Sequence, residues 1–214
     1  SGGAATATLL GIILGVSSHW LHIAGFGGAL LAAGFVYWIA QQQHYLHPHR
    51  LLLTGMILAA GWGAIISLLL TLSPNDDLRG LLFWLLGDIN SSSTPWWALI
   101  VLLLAALYSY YLAPQLNVLL RGDLAAKTLG VHVERLHWQL YLLTTLLTAC
   151  AVSLAGTIGF VGLVVPHLLR LLHNSNHRFI VPGSVLLGGS LLTWASILAK
   201  QLWLPLQLPV GVVT

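Results

Sequence analysis

Ten of the 214 residues are histidine, and imidazole is a frequent ligand for metals and haem iron. His44, His47 and His49 crowd one stretch, and His173 and His177, four residues apart, would share one face of a helix. Five of the ten lie directly beside Arg, Asn or Pro, and no Cys, Asp or Glu joins these two groups at ligand spacing. The pattern therefore favours solvated histidines over a metal set, and a histidine-rich metal or haem-binding protein is the alternative. Nucleophilic chemistry has less to work with. Gly15-Val16-Ser17-Ser18 lacks the final glycine of a nucleophile elbow, and no glycine-rich phosphate loop with its lysine is present. The expectation is a chain that is not itself an enzyme, with no catalytic residues and no cofactor of its own. Cys150 is the only cysteine, which excludes an intrachain disulfide and a thiolate cluster, and its place between Ala149 and Ala151 suits a buried structural thiol. Asp88, after Trp84-Leu85-Leu86-Gly87, reads as a helix end at the outer surface or part of an entrance.

Two other constellations combine flexibility with charge. Arg121-Gly122-Asp123-Leu124-Ala125-Ala126-Lys127-Thr128-Leu129-Gly130 predicts a short, glycine-ended helix. Asp123 suits its positive end, Lys127 stands four residues on at ion-pair spacing, and Gly130 suits the C-terminal stop. The small side chains of Ala125 and Ala126 could pack into a partner's groove, making this a docking helix for a cytoplasmic subunit; the other reading is a solvated elbow between two spans. In Gly156 to Arg170, the residues Gly156, Gly159, Phe160, Gly162, Pro166, His167 and Arg170 place backbone freedom, a proline and an ionisable pair inside an apolar run. Glycine-mediated packing and a pore-side hinge both fit that pattern.

The elements that must position these residues follow from composition. Charged residues make up 6% of the chain and hydrophobic residues 57%, with a mean hydropathy of +0.88; a soluble domain is about a quarter charged. The chain is expected to be an all-α, polytopic transmembrane helix bundle. Each charge costs ~2.5–3.5 kcal/mol at the centre of a span, so the uncharged runs mark the spans. These are Ala4 to Val16, with Gly11 and Gly15 as a close-packing face, and Phe26 to Ala40, after a His19-Trp20-Leu21-His22 interfacial turn. Leu51 to Leu72 follows with Gly55, Ala59 and Gly63 on one face, then a polar loop Ser73 to Arg79 and a short helix Gly80 to Leu86. Trp96 to Tyr111, Leu136 to Leu154, a glycine-broken Gly156 to Leu172 and Val181 to Leu202 come next, and Leu208 starts another.

Threading these alternately puts Arg50, Arg121, Lys127, Arg135, Arg170 and Arg178 on one side, six of the eight basic residues. That side is cytoplasmic by the positive-inside rule. Leu112 to Gln139 is then the longest cytoplasmic segment. The small net charge of +3, spread between apolar runs, argues for membrane orientation and against nucleic acid. The chain opens on Ser1-Gly2-Gly3 and stops at Val212-Val213-Thr214, each at the mouth of an apolar run, and is expected to be a fragment.

At these residues the sequence resembles the FecCD or BtuC-like permeases of binding-protein-dependent ABC importers for iron-siderophores, haem and vitamin B12. Gly122 to Val131 resembles the family's cytoplasmic G-(E/D)-x-A-x-x-L-G loop, and Gly156 to Arg170 resembles its G-x-I-x-F-(V/I)-G-L-(V/I)-x-P-H-x-x-R signature almost residue for residue. His177-Arg178 and Val181-Pro182-Gly183-Ser184 stand where members have D-H-R and then L-P-x-S, and Leu208 to Thr214 resembles the start of the last helix. Leu53-Thr54-Gly55 and Trp84 to Gly87 are weaker matches in the same order. Ser196, Lys200 and Gln207 depart from the acid, arginine and glutamate common in members.

The resemblance implies a single permease domain over 1–214, truncated at both ends of a ten-helix subunit, with a cytoplasmic coupling loop at 112–139. It implies alternating access at a homodimer interface in the bacterial inner (plasma) membrane. The partners would be an ABC ATPase subunit holding ATP and Mg, an extracytoplasmic substrate-binding protein, a second permease copy and membrane lipid. Arg121, Gly122, Asp123, Ala125, Ala126, Leu129 and Gly130 would form the ATPase-coupling surface. Gly80 to Leu86 would sit at the outer entrance, and Leu51 to Leu72 would line the pathway.

Overall fold

In hydrocarbon every backbone N–H and C=O must be satisfied by the protein itself, and a single segment can do that only as a helix. A computed structural model describes residues 2–41, 48–73, 75–87, 89, 96–173, 175–201 and 209–214. His44, His47, Asp88 and Gln207 lie outside the described residues. Among the described residues the regular structure is all helical: α1 (Gly2–Ile13), α2 (Ser18–Gln41), α3 (Pro48–Leu72), α4 (Asn75–Leu85), α5 (Trp96–Leu119), α6 (Asp123–Thr128), α7 (Val133–Ala155), α8 (Val161–His173), α9 (His177–Gln201) and a 3-10 turn at Val210–Val212. Of these, α2, α3, α5, α7 and α9 are long and apolar enough to cross a membrane, and α1 and α8 are shorter apolar helices.

Several boundaries differ from the sequence expectation. The turn predicted at His19 to His22 is helical, because α2 begins at Ser18. The polar loop predicted at Ser73 to Arg79 is mostly the first turns of α4, which starts at Asn75. Helix α5 continues through Pro114 to Leu119, and α7 starts at Val133. Most of the 112–139 segment is thus helical, and the connection between the two long helices is 120–132. Helix α9 starts at His177 and carries Pro182 as its sixth residue, where no N–H can reach back to the Arg178 carbonyl.

The chain divides into two compact units, residues 1–88 with 144–157, and residues 89–143 with 158–214. In the first, α1 and α2 pack backbone to backbone. A Cβ on Gly28 would overlap the Gly3 carbonyl oxygen and the Ala7 methyl, and one on Gly3 would overlap Gly28 and Ala32. This places the close face at Gly3, Ala7, Gly28 and Ala32. Gly15, expected on such a face, lies beyond the end of α1 with φ +70° and nothing within 4 Å of its Cβ position. Ala4, Ala29, Ala149 and Val152 form a small core there with Phe26 against it. His22 and Ser153 exchange two hydrogen bonds: the ring Nδ1 lies 2.8 Å from the Ser153 carbonyl, and Ser153 Oγ donates to the His22 carbonyl at 2.9 Å.

The expected small-residue face of α3 finds no neighbour within the described chain. Cβ atoms on Gly55 and Gly63 would meet nothing within 4 Å, and Ala59 is exposed.

In the second unit α9 packs against α5 and α8, with the Leu169 side chain filling the space over Gly183. Ala195 and Ala199 meet Val210 and Val213 of the 3-10 turn.

Candidate functional site

The turn from α5 into α6 is closed by backbone bonds from the N–H groups of Arg121 and Gly122 to the carbonyls of Val118 and Leu119, at 3.0 and 2.9 Å. Gly122 sits at φ +97°, a region closed to most L residues. The Ala126 N–H then bonds the Gly122 carbonyl at 3.0 Å as the first bond of the six-residue helix α6, so a short closed turn joins α6 to α5. At its other end Gly130, at φ +82°, donates to the Lys127 carbonyl, and Val131 donates to Ala126. This is the glycine stop the sequence predicts.

The side chains sort by face. Ala126 is fully buried and Ala125 half-buried, while Arg121, Asp123, Leu129 and Gly130 are exposed. Leu124 is 81% exposed and Leu129 59%. Two leucines are thus held out from a polar elbow, one at each end of α6, as separate apolar contact points. The sequence reading passed over Leu124 in favour of the alanines; the 3.6-residue period, with Ala126 buried, puts Leu124 on the far side. The pairing expected between Asp123 and Lys127 is replaced by one across the elbow. Lys127 Nζ lies 3.5 Å from Glu134 Oε1, both largely exposed, so the contact adds little stability. A shallow depression of about 460 Å³ lies beside it, lined by Lys127, Gly130, Val131, His132, Val133, Glu134 and Arg135.

The Gly156 to Arg170 block is not one broken helix. Residues 156–160 are non-helical, and α8 then runs unbroken through Pro166. Gly156, buried at φ +71°, closes the end of α7 through its N–H to the Val152 carbonyl at 3.0 Å. A Cβ there would overlap the Trp84 carbonyl oxygen and crowd the Gly87 backbone. Thr157 Oγ1 donates to the Leu85 carbonyl, satisfying a group left open at the end of α4. Thr157 and Gly87 were not singled out from the sequence, because their partners lie far away along the chain.

Phe160 takes φ +61°, uncommon for an aromatic residue, and is 71% exposed. Its carbonyl starts α8 by accepting from Leu163 and Val164, each at 2.9 Å. Gly159 and Gly162 have open space at their Cβ positions, Pro166 is half-buried, and His167 and Arg170 are exposed. The structure therefore makes a close-packed junction of Gly156 and leaves the other six positions accessible. The division between the two units falls inside this block, after Thr157.

The paired-histidine reading gains nothing: among the described residues no group of three His, Cys, Asp or Glu is placed to hold a metal ion, and the His177 ring lies 2.9 Å from Asn117 Oδ1.

Fold and elbow together define a polytopic all-α membrane protein. It belongs to the FecCD transport family, whose sequence profile matches residues 1–214, and is a multi-pass inner-membrane protein. It is 36% identical over 218 residues to a vitamin B12 import system permease protein, BtuC of Vibrio vulnificus, covering 100% of this chain and 66% of that one. It is 35% identical over 206 residues to the hemin transport system permease protein HmuU of Yersinia pestis, covering 94% and 60%. It is 33% identical over 225 residues to the ABC transporter permease protein YvrB of Bacillus subtilis, covering 100% and 63%. The chain thus spans less than two thirds of the length of these three relatives. A solved structure of a metal-chelate type ABC transporter in an inward-facing conformation superimposes with a TM-score of 0.85 at 29% identity, covering 99% of this chain and 69% of that one.

Proposed function

We propose that this chain is the membrane-spanning permease part of an ATP-driven importer for a metal chelate of the iron-siderophore, haem or cobalamin class. The observation that carries the reading is the α6 elbow. It is braced by backbone bonds at both ends, stopped by left-handed glycines at 122 and 130, and presents Leu124 and Leu129 outward. A rigid lever with an uncovered apolar tip suits a moving partner. Family membership and the superposition with a metal-chelate transporter support the same assignment.

In this reading a separate ATPase subunit binds ATP and Mg and seats against α6. Its movement is passed to the helices around a permease homodimer interface, which open to one side and then the other. An extracytoplasmic binding protein delivers the chelate. The exposed face of α3 lines the pathway, and Gly159 and Phe160 ahead of α8, with Gly162 in its first turn, supply the yielding segment. Chelate identity is set mainly by the delivering protein.

The test is ATP hydrolysis by the partner subunit with the full-length permease in lipid. Asp123→Lys should reduce permease-dependent hydrolysis roughly tenfold, within the usual range of coupling energies, while the permease remains folded; Gly130→Trp should do so too, but adds left-handed strain at φ +82° and is read against its melting temperature. Undiminished hydrolysis and normal complex recovery in both variants would remove the coupling assignment.

A further inference from the structure

The C-terminal end of α5 and the start of α9 are joined by side chains about sixty residues apart in sequence. Asn117 Nδ2 donates to Asn176 Oδ1 at 2.7 Å. The Asn117 Oδ1 accepts from the His177 backbone N–H at 2.8 Å and lies 2.9 Å from His177 Nδ1. Asn176 Oδ1 also accepts from the Arg178 N–H at 3.0 Å. Backbone N–H groups only donate, so each amide oxygen must face the N–H it meets, and both amides are fixed in one orientation. The Asn117 nitrogen is then left facing Asn176 Oδ1 as a donor, and His177 Nδ1 must carry its proton to face the Asn117 oxygen. Both amide oxygens thus accept two contacts each, and Asn117 also donates.

Position gives the cluster its meaning. Asn117 lies in the last turn of α5, whose closed turn leads directly into α6. Asn176 and His177 start α9, just after α8 and its accessible glycine and proline block. Apolar packing between α5 and α9 holds two helices side by side but resists sliding only weakly, since it has no direction. Short amides bonded to backbone at a helix end fix axial position as well. The Lys127–Glu134 pair is a much softer link, long, exposed and screened.

We infer that Asn117, Asn176 and His177 form a transmission clamp, so that α6, pushed by its partner, carries the start of α9 with it. These are positioning residues, and the inference rests on the reading that α6 docks an ATPase. Without the clamp, the partner's stroke moves the elbow while α9 stays behind.

The test uses the full-length permease with its ATPase in lipid nanodiscs, in a Cys150→Ala background, with spin labels placed through Thr128→Cys on α6 and Arg178→Cys on α9. With the clamp intact, the distance between labels should be the same without nucleotide and with Mg-ATP and vanadate. With Asn117→Leu it should differ between the two states, and ATP hydrolysis stimulated by the binding protein should fall roughly tenfold, the upper part of the range for residues along a coupling network. Asn117→Asp keeps both acceptor contacts to His177 but loses the donor to Asn176. It should show a smaller change, and it decides the matter if the leucine variant does not fold. A variant that only melts at a lower temperature, with nucleotide-independent distances and full stimulation, would overturn the clamp. If adding the ATPase fails to immobilise the Thr128→Cys label in the otherwise unaltered protein, the docking reading fails and the clamp falls with it.

Discussion

Replacing Gly156 by valine should remove most of the folded protein. The position demands φ +71° and is buried, and a Cβ there collides with backbone, the Trp84 carbonyl and Gly87, which cannot swing away like a side-chain tip. A β-branched residue adds the left-handed penalty to that overlap. The combined cost is about 3–5 kcal/mol, a large part of the 5–15 kcal/mol that holds a typical domain together. Full-length protein extracted in detergent should lose its monodisperse peak and its melting transition. Gly162→Ala is the control, with an open Cβ position inside α8; it should fold and gain about 0.5–1 kcal/mol from reduced chain entropy. Equal yields for the valine and alanine variants would show that the junction of α7 with the end of α4 is looser than drawn.

Changing Leu124 to glutamate should do the reverse, sparing the fold and abolishing the partnership. The side chain is 81% exposed, so a carboxylate there costs the folded permease almost nothing. Against an apolar groove in a partner, the same carboxylate would be buried without a counter-charge. A central contact of that kind costs about 3 kcal/mol, roughly a hundredfold in affinity. Binding of the ATPase to full-length permease in detergent measures it, with the melting temperature as the check on folding. An unchanged affinity would mean that Leu124 faces only water or lipid headgroups.

What could be read from sequence was local. Gly122, Asp123 and Gly130 specify start, charge and stop within ten residues, and α6 forms where they place it. The apolar runs gave the spans, because a charge inside one is so costly. Readings failed where a distant partner decided. His22 looked like part of an interfacial turn, yet Ser153, 131 residues away, satisfies it within the helix. Gly11 does pack closely, since a Cβ there would overlap Leu21 of α2, but Gly15 does not, and the backbone contact falls at Gly3 and Gly28, a choice that depends on how α2 lies across α1. Asn117 was invisible as a site because a lone asparagine near a helix end shows nothing of its partners. The span read from Val181 begins earlier, because Asn176 accepts from free N–H groups at the start of α9.

Crosslinking shows whether α6 is where the ATPase seats. In full-length permease carrying Cys150→Ala, a thiol introduced by Leu124→Cys should be captured by a bifunctional reagent on the ATPase subunit, with a yield that changes when Mg-ATP is added. Leu186→Cys on α9, at 75% exposure an equally accessible apolar position, should give no such product. Capture at 124 alone, responsive to nucleotide, is expected if α6 docks the ATPase. Equal capture at both positions, or none at 124 while the ATPase remains bound, would contradict it.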